Sequence, residues 1–286
     1  MLGWGLTVGN HSLSSKGLIE RINGLNVISQ SLGFYGLGQV GVAIKGPDGV
    51  IYVDPYLTDY GGEEKPIPRN FPPPIAPEEV TNASYVLVTH EHVDHFDPET
   101  LGPIASASPQ ARFYGPHTCD FASVGVDPGR ASVPEVGQAF EAGSASVTAI
   151  PSAHTEVEHS ETGYPYLGYI IEWNGITVYH AGDTVIYDGL IQTLRQWQID
   201  VMFVPINGRD YFRTAQGIIG NTDFREAAEL AETLDVALTI PTHYDLIAGN
   251  TQNPAYFVDY FYRLNPNRRH HLLRLGELYY YVKEQK

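Results

Sequence analysis

Apolar residues in this chain fall in short runs bounded by glycine, proline, asparagine and aspartate, a pattern that predicts buried strands more often than helices. Residues 27–57 read as β. Runs at 40–45 and 50–53 flank Gly46-Pro-Asp-Gly49, a turn by composition, and predict a hairpin that closes on Asp54-Pro-Tyr-Leu57. Residues 85–88 predict a buried strand and 112–116 a short one, and 137–150 alternates as further strands. Residues 169–173 and 176–180 flank Asn174-Gly175, a favoured type I′ pair, so a second hairpin is expected there. Strands are also predicted at 201–204, 237–240 and 277–282.

Helical spacing is rarer. A short helix is predicted over 17–22, a helix start at Asp97-Pro-Glu-Thr, and helical spacing at Leu190, Ile191, Leu194 and Trp197. The clearest helix is 223–234. Asp223 and Glu226 make a capping box, and Phe224, Ala227, Ala228, Leu230, Ala231 and Leu234 form one apolar stripe that belongs to the core. Residues 61–77 carry six prolines between Pro66 and Pro77, which excludes a helix or inner strand. This segment is either a pocket wall with Phe71 or a stiff surface connection. With no short-period repeat and no evident linker, one domain is expected over 1–286, with 1–33 as an N-terminal extension.

Composition narrows the classes. Of 286 residues 43% are hydrophobic and 12% aromatic, including 19 tyrosines, enough for a proper core and for aromatic pocket walls. A net charge of −16 argues against general binding to nucleic acid or anionic membrane, and leaves room for a small anionic substrate held by a local arginine. A single cysteine, Cys119, excludes an intramolecular disulfide and reads as a small buried hydrophobe. No run approaches the length of a membrane span and no signal peptide is evident, so a cytoplasmic protein is expected.

The predicted strand at 85–88 ends in His90, His92, Asp94 and His95. Extended backbone would turn His90 and His92 to one side, and a tight turn would swing Asp94 and His95 toward a neighbouring point. Two imidazoles plus a carboxylate–imidazole pair is a ligand set for two adjacent divalent ions. Three later strands deliver the same kinds of group at their ends: His154 after 145–151, Asp183 in Gly-Asp-Thr after 176–180, and His243 in Pro-Thr-His after 237–240. A carboxylate at Asp183 can bridge two cations. Asp54 at a strand end can orient a ligand imidazole, and His180, facing the other side of its strand, reads as a supporting or core residue. His11 and His117 read as surface residues. Asn207, Arg209 and Tyr211, with Arg213, lie in a glycine-containing loop that is the best candidate for gripping an anionic part of the substrate. The cluster Arg268-Arg-His-His271 is a surface feature or a subunit contact in a homo-oligomer.

Together these positions resemble the metallo-β-lactamase superfamily, over about residues 34–280. The resemblance implies a four-layer αβ/βα sandwich of class α/β with a dimetal site at one edge. It implies that His90, His92 and His154 hold one ion, that Asp94, His95 and His243 hold a second, and that Asp183 bridges them with a hydroxide. Gly36-Leu-Gly-Gln-Val-Gly, Tyr179-His-Ala-Gly-Asp-Thr and Asn253-Pro-Ala-Tyr-Phe are similar to the L-ascorbate-6-phosphate lactonase-like branch and related metal-dependent hydrolases.

The expected activity is therefore hydrolysis of a small anionic ester or lactone by a metal-bound hydroxide, with Asp94 orienting the nucleophile and Zn²⁺ or Mn²⁺ as the ions. A phosphodiesterase acting on a small or lipid-derived phosphodiester and a non-catalytic metal-bound binding protein are the alternatives.

Overall fold

Strands here are apolar at successive positions because both of their faces are covered. In β2 (Gly41–Lys45) and β3 (Val50–Val53), Val42, Ile44, Ile51 and Val53 face a second sheet, while Ala43, Val50 and Tyr52 face helices. The computed structural model describes residues 15–59 and 69–284. His11, Pro66 and Pro68 lie outside them.

The described residues form two seven-stranded sheets. The first contains β1 (Ser31–Gly38), β2, β3, β4 (Tyr85–Leu87), β5 (Arg112–Tyr114), β6 (Ala131–Ser132) and β14 (Leu278–Val282), in the order β14-β1-β2-β3-β4-β5-β6. The second runs β13 (Arg269–His270), β12 (Leu238–Thr242), β11 (Val201–Pro205), β10 (Ile176–His180), β9 (Leu167–Trp173), β8 (Ala145–Pro151), β7 (Ala139–Ala142). Each sheet is mixed. The antiparallel hairpins sit beside parallel β3-β4-β5-β6 in one and parallel β10-β11-β12-β13 in the other.

Three apolar layers follow from this pairing. Between the sheets, Phe34, Ile44 and Val53 meet Val147, Tyr169, Val178 and Phe203. Outside the first sheet, α1 (Ser15–Gly24) and α2 (Pro98–Ala107) cover Tyr52 and Val86 with Leu18, Ile22, Leu101 and Ile104. Outside the second, α3 (Leu190–Leu194), α5 (Phe224–Thr233) and α6 (Pro254–Leu264) cover Tyr179, Met202 and Val204. The result is the αβ/βα sandwich. Helix α1 falls in the stretch read as an N-terminal extension, and its apolar side is part of this packing.

Local readings hold in detail. Asn174 and Gly175 both have positive φ, 53° and 78°, as a type I′ turn requires. Asp97 caps α2 through Glu99 N, and the Asp223–Glu226 capping box opens α5. Cys119 is buried. Phe71 lines a cavity with Tyr244, Arg274 and Leu275 rather than the space above the histidine cluster.

Candidate metal centre

The ends of β4, β8, β10 and β12 meet at one edge of the sandwich, and each hands over a side chain. After β4, residues 88–90 continue without ladder pairing and 91–96 fold into bends and a turn, with His95 N and Phe96 N both donating to His92 O at 2.9 and 2.7 Å. The expectation that extended backbone aligns His90 and His92 is thereby corrected. A bend at Glu91 and His92, not the two-residue period of a strand, brings the two rings together. After β10, Gly182 takes a φ of 59° and lies where a Cβ would come within 2.7 Å of the Thr89 side chain. Only glycine lets Asp183 arrive beside the β4 loop. His243 follows β12 with a φ of 58°, a left-handed conformation rare for histidine.

The donor atoms converge. His92 Nδ1 lies 2.9 Å from His90 Nε2 and 3.1 Å from His154 Nε2. One proton cannot satisfy all three ring nitrogens, so a shared cation suits them better than hydrogen bonds alone. Beside them, Asp94 Oδ2 lies 3.7 Å from His95 Nε2 and 3.4 Å from His243 Nε2. Asp183 stands between the two sets. Its Oδ1 is 3.4 Å from His95 Nε2, and its Oδ2 is 3.4 Å from His154 Nε2 and 3.3 Å from His243 Nε2. His90–His92–His154, Asp94–His95–His243 and the linking trio His90–His95–Asp183 each have donor atoms within 4.8 Å of one another and can hold a metal ion. His95 Nε2 and Asp183 Oδ1 are buried without a hydrogen-bond partner, as ligands aimed at an ion would be.

Supporting contacts fix which nitrogen is free. Asp54 accepts from Thr89 N at 2.8 Å and Thr89 Oγ1 at 2.7 Å, and lies 2.8 Å from His95 Nδ1. Because the Thr89 hydroxyl donates to Asp54, it accepts from His90 Nδ1, 3.0 Å away. Both imidazoles then carry their proton on Nδ1 and turn Nε2 inward. Asp54 thus stands at the end of β3 in contact with the outward nitrogen of His95. His180 is buried, donates from Nε2 to Val40 O at 2.9 Å and stacks on Phe203, so it braces the loop rather than joining the cluster.

Electrostatics divide the cluster. Burial, reinforced by neighbouring histidines, holds His90, His92 and His154 below the ordinary imidazole range, so they are neutral and ready to ligate. Burial acts the same way on His95 and His243, but Asp183 and Asp94 outweigh it. His95 is raised well above the usual value and His243 to about 9. The carboxyls of Asp94 and Asp183 resist burial through the same two rings and are held below the usual carboxylate range.

Sequence reasoning missed several neighbours. Gln39, with a φ of 55°, donates from Nε2 to Asp94 Oδ2 at 2.7 Å and accepts His243 N on its backbone oxygen at 2.9 Å. Its signals are its place between Gly38 and Gly41 and the Gly36-Leu-Gly-Gln-Val-Gly stretch that carries part of the resemblance. Tyr166 sets its ring 5.4 Å from those of His90 and His154, and nothing in the sequence marked it. The cluster opens into a cavity of about 440 Å³ lined by His92, Asp94, His154, Asp183 and His243 below and Ile218, Ile219 and Ile247 above.

The expected anion grip does not assemble. Arg209 gives both terminal nitrogens to Glu226, at 2.7 and 2.8 Å, and a further bond to Asn221 O. Asn207 is fully buried, its amide spanning to Asn250 and Asn221. Tyr211 begins α4 (Tyr211–Ala215) and points outward, 79% exposed. Arg268, in the cluster read as a surface or subunit contact, pairs with Glu232 and Asp235 of its own chain.

A buried histidine–aspartate cluster on the edge of an αβ/βα sandwich defines a metal-binding protein of the metallo-hydrolase kind. The chain belongs to the beta-lactamase superfamily domain family, whose model matches residues 50–244. It is 33% identical to a UPF0173 protein of Pyrococcus furiosus over 60% of this chain and 71% of that one. It is 29% identical to a UPF0173 metal-dependent hydrolase of an Exiguobacterium species over 80% of this chain and 92% of that one. The fold matches Igni18, a metallo hydrolase from Ignicoccus hospitalis, with a TM-score of 0.66 at 18% identity, covering 89% of this chain and all of the other. Among the described residues, no helix is long and apolar enough to cross a membrane.

Proposed function

We propose that this chain is a metal-dependent hydrolase that holds two divalent ions, Zn²⁺ or Mn²⁺, and cleaves a small ester or lactone. The observation that carries the reading is the convergence of seven His and Asp side chains at the floor of an open cavity, with His95 Nε2 and Asp183 Oδ1 3.4 Å apart and neither hydrogen-bonded. His90, His92 and His154 would hold one ion, Asp94, His95 and His243 the other, and Asp183 would bridge. Five imidazoles favour Zn²⁺, and the two carboxylates admit Mn²⁺. Such ions supply an acidified water and polarise the attacked oxygen.

The chain's own groups do the rest. Asp94 lines the cavity, is held in place by Gln39, and orients the attacking water. The water's oxygen bonds to the acyl carbon, the bond from that carbon to the leaving oxygen breaks, and the leaving oxygen takes up the proton the water loses. Asp54 and Thr89 keep His95 and His90 in the tautomers that face inward. The narrower readings, a sugar-phosphate lactone or a small phosphodiester, differ from a plain ester in the charge the cavity must accept.

The test is metal content by plasma mass spectrometry on protein purified without chelator, for wild type and His243→Ala, paired with ester and lactone turnover. The expected result is about two ions per chain, falling toward one in the variant, with turnover lost on chelation. One ion in both would make the site mononuclear. No metal in either after reconstitution would overturn the hydrolase reading in favour of a binding protein.

A further inference from the structure

The loop between β11 and α5 is closed at its neck and forms a lobe over the metal centre. Asn207 pairs with Asp223, and Gly208 exchanges backbone bonds with Thr222 and Asn221. Gly220 lies so close to Gly208 that an added Cβ would sit 2.3 Å from the Gly208 oxygen, so the neck needs glycine. Ends held together around a self-packed segment are the geometry of an Ω-loop.

The lobe carries two arginines, and both are committed to holding it. Arg209 is paired in a fork with Glu226 of α5. Arg213 bonds the carboxylate of Asp210, Asn207 O at 2.9 Å and Asn250 Oδ1 at 3.1 Å. The same Asn250 lines the cavity, and its Oδ1 is taken up by Arg213 and Asn207. What the lobe turns to the metal centre is Ile218 and Ile219, which follow the left-handed Gly217. Ile219 stays 39% exposed at the mouth, an apolar surface that pays no evident structural role. Val93, Ile247 and Ala248 complete the wall, and among the described residues no lysine or arginine lines this cavity.

We infer that the cavity selects an ester or lactone whose acyl part is uncharged and apolar, with Ile218 and Ile219 as the specificity-determining residues. The inference rests on the hydrolase reading above. A distal phosphate or carboxylate would be desolvated against isoleucine with no free cation among the described lining residues to meet it, a cost that a methylene chain does not carry. Each added methylene buried on the isoleucine wall adds to binding instead. The cavity volume of about 440 Å³ falls within the range of small-ligand sites and suits a chain of medium length.

The experiment compares p-nitrophenyl acetate, butyrate, hexanoate and octanoate on the metal-loaded enzyme, and sets the hexanoate against mono-p-nitrophenyl adipate. The last two share acyl length and differ by one distal carboxylate. The expected result is kcat/KM rising about threefold per methylene to the limit of the cavity, with the hexanoate favoured over the adipate by about tenfold or more. Ile219→Ala flattens the chain-length series, and Ile219→Lys shifts preference toward the adipate. On metal-stripped protein, saturation-transfer NMR with methyl octanoate gives contact that weakens in Ile218→Ala and Ile219→Ala. Metal-dependent turnover that is flat with chain length, or that favours the adipate, overturns this inference and leaves the hydrolase standing. Failure to turn over any of these esters with metal bound counts against the hydrolase reading and takes the inference down with it.

Discussion

The metal cluster and the β11–α5 lobe both concentrate polar and charged side chains beside one cavity, yet they satisfy themselves in opposite ways. In the cluster, ring nitrogens face one another at 2.9 and 3.1 Å, and His95 Nε2 and Asp183 Oδ1 are buried without a hydrogen-bond partner. In the lobe, Arg209, Arg213 and Asp210, with Glu226 of α5, neutralise each other and bond the backbone of the lobe. Several buried groups that converge and are left unbonded by the chain mark a candidate site, which a single unbonded atom such as Asn221 Oδ1 in the lobe does not. A group completed from within the chain marks scaffolding, however reactive its type. Backbone strain points the same way, since the non-glycine residues with positive φ include Gln39, Asp54 and His243, all at the cluster.

The sharpest way to break this comparison is to remove the carboxylate that links the two proposed ligand sets. Asp183→Ala should reduce turnover to background and lower bound metal, read by mass spectrometry and ester hydrolysis together. Full activity in that variant would show that the orphaned atoms are not ligands. A smaller loss is expected one contact further out. Asp54→Ala frees His95 Nδ1 and Thr89, and Gln39→Leu releases Asp94. Each should weaken metal affinity by about 10- to 100-fold in a competitive chelator titration while the ligands themselves remain.

Proton linkage sharpens the comparison further. In metal-free protein His243 is protonated against Asp183 and Asp94, its pKa raised to about 9. A raised folded pKa contributes stability that is full below the unfolded value of ~6.5 and is lost as pH climbs through the folded one. The thermal midpoint of metal-free protein should therefore fall between about pH 7 and 9. Metal must displace that proton, so the midpoint gained on adding metal should grow over the same interval. A metal-induced gain independent of pH across this range would remove His243 from the ligand set.

How much of this was legible in the sequence follows the same division. The cluster was, because His90, His92, Asp94 and His95 are types that seldom gather without a cation, and His154, Asp183 and His243 each follow a readable strand. The strands were legible through their apolar runs, while their stacking into a four-layer sandwich was implied only by the family resemblance. Gln39 was not, since glutamine does similar work anywhere on a surface and only its left-handed backbone beside His243 sets it apart. Nor were Ile218 and Ile219, which in sequence look like core and in space face a cavity. Arg209 was misassigned because its partner lies in the following helix. The capping box had already singled out Glu226, but one carboxylate serves both Asp223 N and the guanidinium, and a linear reading gave it only the first role.

The smallest expected effect tests that reassignment. If Arg209 gripped substrate, Arg209→Ala would raise KM for anionic esters and spare neutral ones. As a staple it should cost only about 0–1 kcal/mol, as partly exposed ion pairs do, and change kcat/KM for charged and neutral esters in parallel. Glu226→Ala separates the two roles. It loses the Glu226 half of the capping box as well as the pair, while Asp223 still caps the helix, so it should destabilise somewhat more than Arg209→Ala. It also frees a guanidinium beside the small cavity that Arg209 shares with His154 and Ile219. An anionic ester should then gain relative to its neutral counterpart in Glu226→Ala but not in Arg209→Ala. The double variant Arg209→Ala/Glu226→Ala should lose that gain, which would place the lobe's neutrality in the ion pair itself.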